Sequence, residues 1–223
     1  MLRGESFSRK GVGTNQDFSL LPVLHRFFLQ REVWNVPEIT RKFPIVIGAA
    51  GGEAEGGADG NRSLYTWRAK NAVWVTIVKS ARKETCIYVH ELQAAFIANE
   101  CASLHSDCPV NTAVLGQMVV DCNESGNYEP RIMFFDVLSF GDDDVSGMPP
   151  SGRHSILRSD VAPFLEREEH FVVQWAGYRE AAESFCDPSA NTEAQGKLPH
   201  RVDYVFEMPC GKKPGFINPV TMF

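Results

Sequence analysis

Apolar residues along this chain follow two periods. Over residues 19–33 Leu20, Leu24, Phe27 and Phe28 fall near helical spacing, and Asp17 and Ser19 can cap the start, which predicts a surface helix on a core. Residues 43–50, FPIVIGAA, read as a short buried strand. From Leu64 onward runs rich in β-branched and aromatic residues take over: LYTWRAK, NAVWVTIVKS and, across the turn Ala81–Glu84, TCIYVH, which together predict an antiparallel meander. TAVLGQMVVD and PRIMFFDVLSF read as two more strands of one sheet, joined by the turn-rich stretch from Cys122 to Tyr128. HFVVQWAGY and HRVDYVFEM predict later strands, and the proline-punctuated PCGKKPGFINPVTMF an extended end. Between them RHSILRSDVAPFLERE reads as helical at both ends with Pro163 interrupting, because an interior proline removes a hydrogen bond and clashes with the preceding turn. HELQAAFIANECASL fits a short helix or a strand and loop equally well.

The remaining segments are loops by composition. Residues 51–63, GGEAEGGADGNRS, hold too little apolar surface to fix one conformation, and no Gly-Lys-Ser/Thr closes them as a phosphate loop. Residues 183–200 read as a second long loop. The acidic turn GDDDVSG (141–147) lacks the twelfth-position carboxylate of an EF-hand, and its adjacent side chains point apart, so a solvated turn is expected there. EREEH (166–170) reads as a charged helix face.

A length of 223 residues with 43% hydrophobic and 22% charged content suits one domain with a real core. Residues 1–59 are expected to supply a helix, a short strand and a flexible loop packing on a domain formed by residues 60–223. No run approaches the roughly 20 apolar residues of a membrane-spanning helix, and the N-terminus lacks a secretory h-region, so the expectation is an intracellular protein of the nucleus or cytoplasm without a membrane partner. Arg3, Arg9 and Lys10 keep an organelle-targeting segment open as an alternative, against which Glu5, Asp17 and the lack of an amphipathic run count. A net charge of −6 excludes coating of nucleic acid over a whole surface and leaves only local contact. The six cysteines form no Cys-x-x-Cys pair; Cys101, His105 and Cys108, with His90 or Cys122, are the one set that resembles metal ligands, but their spacing is not that of a known finger, and no metal site is expected.

Four blocks carry a resemblance to the superfamily of mRNA guanylyltransferases, DNA and RNA ligases and the cap-binding domain of snurportin. In RAKNAVWVTIV, Lys70 stands where the enzymes' Lys-x-Asp-Gly-x-Arg element has its nucleophile, while Ala72, Val73 and Val75 replace the Asp, Gly and Arg. AVLGQMVVD resembles the Leu-Asp-Gly-Glu strand, keeping Gly116 but placing Leu115 and Gln117 at the two carboxylates; glutamine can bond a sugar or base edge but carries no charge to a metal. RIMFFDVLSFGDDDVSGMPPSGRHSIL is similar to the strand and following helix that hold a stacking aromatic, an aspartate and an arginine, matched here by Phe134, Phe135, Asp136 and Arg153, although Arg153 can equally cap a helix or pair with an acid. HRVDYVFEM keeps Asp203 and has Tyr204 for a glycine. Beyond it Lys212, Lys213, Phe216 and Phe223 stand without the enzymes' Lys-x-Lys pair, and Met222 or Phe223 is the nearest counterpart of snurportin's stacking tryptophan.

The resemblance implies an α+β nucleotidyltransferase core of two antiparallel sheets with flanking helices and no appended oligonucleotide-binding fold. It implies a non-catalytic module that binds a nucleotide, an RNA 5′ end or an mRNA or snRNA cap, as snurportin does, through Trp67, Lys70, Gln117, Phe134, Asp136, Arg153, Asp203, Lys212, Lys213 and Phe223, needing no cofactor. The alternative is a divergent covalent nucleotidyltransferase with Lys70 as nucleophile, which would use magnesium or manganese. A third reading is a scaffold in a ribonucleoprotein, with transport or ribonucleoprotein proteins as partners. Trp67, Trp74 and Trp175 are expected mainly as core residues, Trp67 being close enough to Lys70 to be the exception.

Overall fold

A computed structural model describes residues 21–33, 44–48, 63–122, 128–165, 170–178 and 202–220. Residues 51–62 of the first expected loop and the whole of the second, 183–200, lie outside these residues. The elements are α1 (Leu21–Phe28), β1 (Leu29–Val33), β2 (Val46–Ile47), β3 (Leu64–Ala69), β4 (Val73–Lys79), β5 (Thr85–Val89), β6 (Ala94–Ala98), a 3-10 turn Glu100–Ala102, β7 (Ala113–Cys122), β8 (Tyr128–Phe140) and β9 (Asp143–Asp144). There follow α2 (Pro150–Ile156), a π-helical segment Leu157–Val161, α3 (Ala162–Leu165), β10 (Phe171–Val173), β11 (Val202–Met208) and β12 (Phe216–Val220).

Two sheets result. The larger runs β1-β6-β5-β4-β7-β8-β10 with β9 beside β8, and the smaller runs β2-β12-β11-β3. The ladders are antiparallel except at β10 on β8 and β2 on β12, so the expected pair of antiparallel sheets is right in the middle and wrong at the margins. β4 explains how they stack: its continuous apolar run buries both faces, Val73, Val75 and Ile77 toward the helices and Trp74 and Val78 toward the smaller sheet. One core therefore lies under α1 and α2–α3, with Phe28, Phe134, Leu157 and Phe171, and a second between the sheets, with Leu115, Phe135, Phe206 and Ile217.

Three local expectations change. The helix predicted to reach residue 33 stops at Phe28, because the next five residues pair with β6 as an edge strand, and tertiary pairing overrides a short helical period. The segment at 43–50 contributes only Val46–Ile47, and both side chains are exposed where a buried strand was expected. Pro163 does not break its helix: the turn widens to π form over Leu157–Val161, relieving the clash of the proline ring with the preceding carbonyls, and α3 continues. The ambiguous HELQAAFIANECASL resolves into a turn, β6 and the 3-10 turn.

Candidate functional site

The hairpin joining β3 to β4 carries Lys70. Asn71 adopts φ 61°, a left-handed conformation that asparagine tolerates, and Ala72 N–H donates to Ala69 O at 3.2 Å. From the inner face of β3, Arg68 Nη2 donates to Ala72 O at 2.8 Å and staples the loop. Lys70 projects outward, exposed and with no hydrogen bond or ion pair among the described residues. β11 starts opposite: Val202 faces Ala69, and the ladder slips between Val202 and Tyr204, leaving Asp203 as the extra, exposed residue of a bulge. Lys70 and Asp203 thus share one end of the smaller sheet. Ala69 and Ala72 pack on Val119 and Met133, so the hairpin sits over the stretch of β7 and β8 that leads to Arg131, which bridges Asp121 and Glu129 at 3.0 Å each.

Gln117 and Trp67 lie beneath this hairpin and are enclosed. Gln117 Oε1 accepts Ala69 N–H at 3.0 Å, while its Nε2 donates to Trp67 O at 3.0 Å and Gln174 Oε1 at 2.7 Å. Gln174 Nε2 in turn donates to Thr66 Oγ1 and Trp67 O. Among the described residues β3 has no strand on this side except a two-bond bridge between Tyr65 and Gly177, so the two glutamines close the backbone groups that a further strand would have satisfied. Trp67 packs with Tyr65, Val205 and Trp175 on the other face and is only 6% exposed.

Phe134 points into the core under the helices, its ring 5.2 Å from that of Phe171, with no face open to a base. Its neighbour Phe135 meets Trp74 and Phe206 edge-on at 5.5 and 5.4 Å, and the three rings fill the space between the sheets. Asp136 and Arg153 form a bidentate pair, Nε to Oδ1 at 2.8 Å and Nη2 to Oδ2 at 2.9 Å; Oδ1 also takes Val137 N–H, and Arg153 Nη1 bonds Met148 O. Each residue is 2% exposed, so the pair pins α2 to β8 rather than facing an opening.

Lys212 and Lys213 are exposed in the turn after β11, at the end where Met208 faces Leu64, which is opposite to Lys70. A seven-residue strand separates them, roughly 20 Å of chain. Lys212 Nζ lies 5.7 Å from the ring of Phe216. Phe223 lies outside the described residues. The structure therefore gathers Lys70 and Asp203, encloses Trp67, Gln117, Phe134, Asp136 and Arg153, and sets Lys212 and Lys213 apart.

Sequence reasoning overlooked Arg68, Glu91 and Tyr204. The Arg68 guanidinium lies 5.1 Å from the centroid of the Trp74 ring and 5.8 Å from that of Tyr204. Glu91, from the turn before β6, accepts Trp74 N–H with both oxygens at 3.0 and 3.1 Å and stands 3.8 Å from Arg68 Nη2. Burial raises its carboxyl above the usual range, with the Trp74 N–H and Arg68 opposing. Arg68 had a visible signal, alternation that turns it inward two residues before Lys70; Glu91 had none, since only the fold brings its turn to β3. Among the described residues no group of three or more His, Cys, Asp or Glu is placed to hold a metal ion, and Cys101 and Cys108 instead meet the carbonyls of Phe27 and Pro109. Among the same residues, no helix is long and apolar enough to cross a membrane.

No protein-family model and no curated protein matches the chain. Among solved structures, two mycobacterial ligase structures are similar to it. The ligase domain of M. tuberculosis LigD is 10% identical, with a TM-score of 0.47 over 79% of this chain and 58% of its own. Mycobacterial DNA ligase D complexed with ATP and MES is 10% identical, with a TM-score of 0.49 over 80% of this chain and 60% of its own. This chain thus spans about three-fifths of each, and the scores are too low to assign it a family, an activity or a ligand.

Proposed function

We propose that the Lys70 end of this domain binds a nucleotide or an RNA 5′ end through its phosphates, without covalent transfer. The observation that carries this reading is the contrast between Lys70, an exposed cation free of partners among the described residues, and Gln117, the residue at the required carboxylate position, whose amide is spent on Ala69, Trp67 and Gln174. Ala72, Val73 and Val75, which stand for the orienting residues of the enzymes, are buried and apolar. Nothing in this set carries charge to a metal ion or orients a sugar. Trp67 and Phe134 are enclosed, so recognition rests on ionic contact with phosphates rather than on stacking by these two rings. A second reading, a divergent covalent nucleotidyltransferase, is favoured by the exposure of Lys70 on the hairpin where the resemblance puts the nucleophile.

Two measurements decide between them. Incubation with radiolabelled GTP or ATP and magnesium or manganese, followed by a denaturing gel, is expected to give no labelled band. A band lost in Lys70→Ala would overturn the non-covalent reading. Binding of fluorescent triphosphate-ended and cap-ended RNA is expected to weaken about tenfold in Lys70→Ala, as for loss of one phosphate contact of about 1.4 kcal/mol, and to recover in Lys70→Arg. Absence of binding to any of these ends in the native chain would refute the proposal as a whole.

A further inference from the structure

Strand alternation carries a row of side chains out past the Lys70 hairpin. Gln117, Val119 and Asp121 of β7 pair in turn with Met133, Arg131 and Glu129 of β8, on the face from which Gln117 reaches β3. The hairpin covers the inner part of this row, Ala69 and Ala72 packing on Val119 and Met133, and Arg131 stands opposite Val119, one strand spacing or about 5 Å away. Lys70, between Ala69 and Ala72 in the chain, therefore has a second cation as its neighbour across this ledge. Arg131 Nε donates to Asp121 Oδ2 and its Nη2 to Glu129 Oε2, each at 3.0 Å, which leaves Nη1 without a partner among the described residues. The two carboxylates hold it unequally. The Asp121 side chain is 3% exposed and fixes the plane of the guanidinium, whereas those of Glu129 and Arg131 are 42% and 33% exposed, and a pair open to water in this way is weak. A phosphate carries at least the charge of a carboxylate and can meet Nη1 and Nη2 together with two of its oxygens, where Glu129 makes a single bond. It displaces Glu129 and leaves Asp121 in place.

We infer that Arg131 is a second phosphate contact beside Lys70, shielded by Glu129 until a ligand arrives, and that this end of the domain selects an RNA 5′ end carrying a diphosphate or triphosphate over a monophosphate. The inference rests on the reading of Lys70 as a phosphate contact. With Glu129 in place, two carboxylates outweigh one guanidinium and the group repels an anion; with Glu129 swung out, Asp121 alone balances Arg131 and the outer edge of the guanidinium is open. A single phosphate is held by Lys70 alone. Only a longer phosphate chain reaches Arg131 as well and offsets the release of Glu129.

Fluorescence anisotropy of the full chain with one RNA oligonucleotide ending in a 5′-triphosphate, and with the same RNA ending in a 5′-monophosphate, tests this. The triphosphate is expected to bind about tenfold more tightly. Arg131→Lys, which keeps a charge beside Asp121 but loses the planar fork, is expected to remove most of that difference and to leave monophosphate binding unchanged. Glu129→Gln, at an exposed position that the fold does not depend on, is expected to tighten triphosphate binding severalfold, by an amount that shrinks as salt is added. Lys70→Ala is expected to weaken both RNAs alike. Equal affinity of the native chain for the two ends, a preference that survives Arg131→Lys, or an affinity untouched by Glu129→Gln overturns the role of Arg131, and where Lys70→Ala still weakens both RNAs the Lys70 reading stands without it. Absence of binding to either RNA overturns both.

Discussion

Replacing Gln117 with glutamate restores the charge that the resemblance expects at this position and exchanges one N–H2 for one oxygen. That oxygen would face Trp67 O at 3.0 Å and Gln174 Oε1 at 2.7 Å, two acceptors where the amide now has two donors' worth of bonds. Gln174 cannot rescue the contact by rotating its amide, because the same rotation takes its Nε2 away from Thr66 Oγ1 and Trp67 O. Two buried bonds lost at about 1–3 kcal/mol each give a cost on the order of 2–6 kcal/mol, a large part of the roughly 5–15 kcal/mol that holds a domain of this kind together. Urea unfolding at neutral pH reads that loss directly. The new carboxyl, enclosed among oxygens, would titrate above the unfolded value of about 4.3, so the folded state holds its proton more tightly. The variant's stability is then greatest below that value and falls as pH rises through the raised folded pKa. Gln117→Met removes the same bonds without a charge and is expected to lose about 2–4 kcal/mol with no added pH dependence. A Gln117→Glu protein within about 0.5 kcal/mol of the native chain at pH 7, a difference typical of an exposed surface site, would refute the assignment of Gln117 as an inter-sheet tie.

Arg153→Met leaves the Asp136 carboxylate buried without its bidentate partner and is expected to cost about 3–5 kcal/mol in the same unfolding assay, while Asp136→Asn/Arg153→Met together should cost less than the sum of the two single changes. Burial pushes the imidazole of His90 down to about 4, with its Nε2 bonded to Thr76 Oγ1 at 2.8 Å. Its neutral form stabilises the fold above pH 6.5, and on the order of 2–3 kcal/mol should be lost as pH falls from there through 4, a slope that His90→Gln should flatten in an acid titration followed by circular dichroism. A methyl group added at Gly116 would lie 2.7 Å from Met133 O and 3.1 Å from the Phe134 ring, so Gly116→Ala should lower the unfolding midpoint in calorimetry by several degrees.

Strand positions were readable wherever burial was one-sided or complete, as in β4 and β7, because the apolar pattern there is the packing itself. Leu29 to Val33 and the Pro163 helix were misread for the opposite reason: a partner strand, β6, and a π turn decided them, and neither is encoded locally. The site was less legible. Lys70 and Asp203 come to one end of the smaller sheet, while Arg153, expected either as a ligand-facing cation or as a capping or acid-pairing residue, takes the pairing role, because sequence spacing does not say toward which side of β8 its helix returns. Lys212 and Lys213 were grouped with Lys70 although antiparallel pairing of β11 with β3 sends them to the far end, a consequence of register that residue types alone do not carry. Glu91 was invisible because its turn reaches β3 only through the stacking of the two sheets.

The neutral side chain at Gln117 and the packing between the sheets are coupled. A carboxylate at Gln117 would need a cation or a metal to balance it within the interior; a neutral amide instead closes the backbone of β3, which among the described residues has only the Tyr65–Gly177 bridge on that side. Trp74, Phe135 and Phe206 pack edge to edge between the sheets beside it. Arg68 then caps this aromatic cluster from the hairpin side and holds Ala72 O, so the polar groups still facing solvent there include Lys70 and Asp203. The neutral amide at Gln117 and the filled inter-sheet space belong to one arrangement, which is why a charge placed at Gln117 alone should unfold the domain.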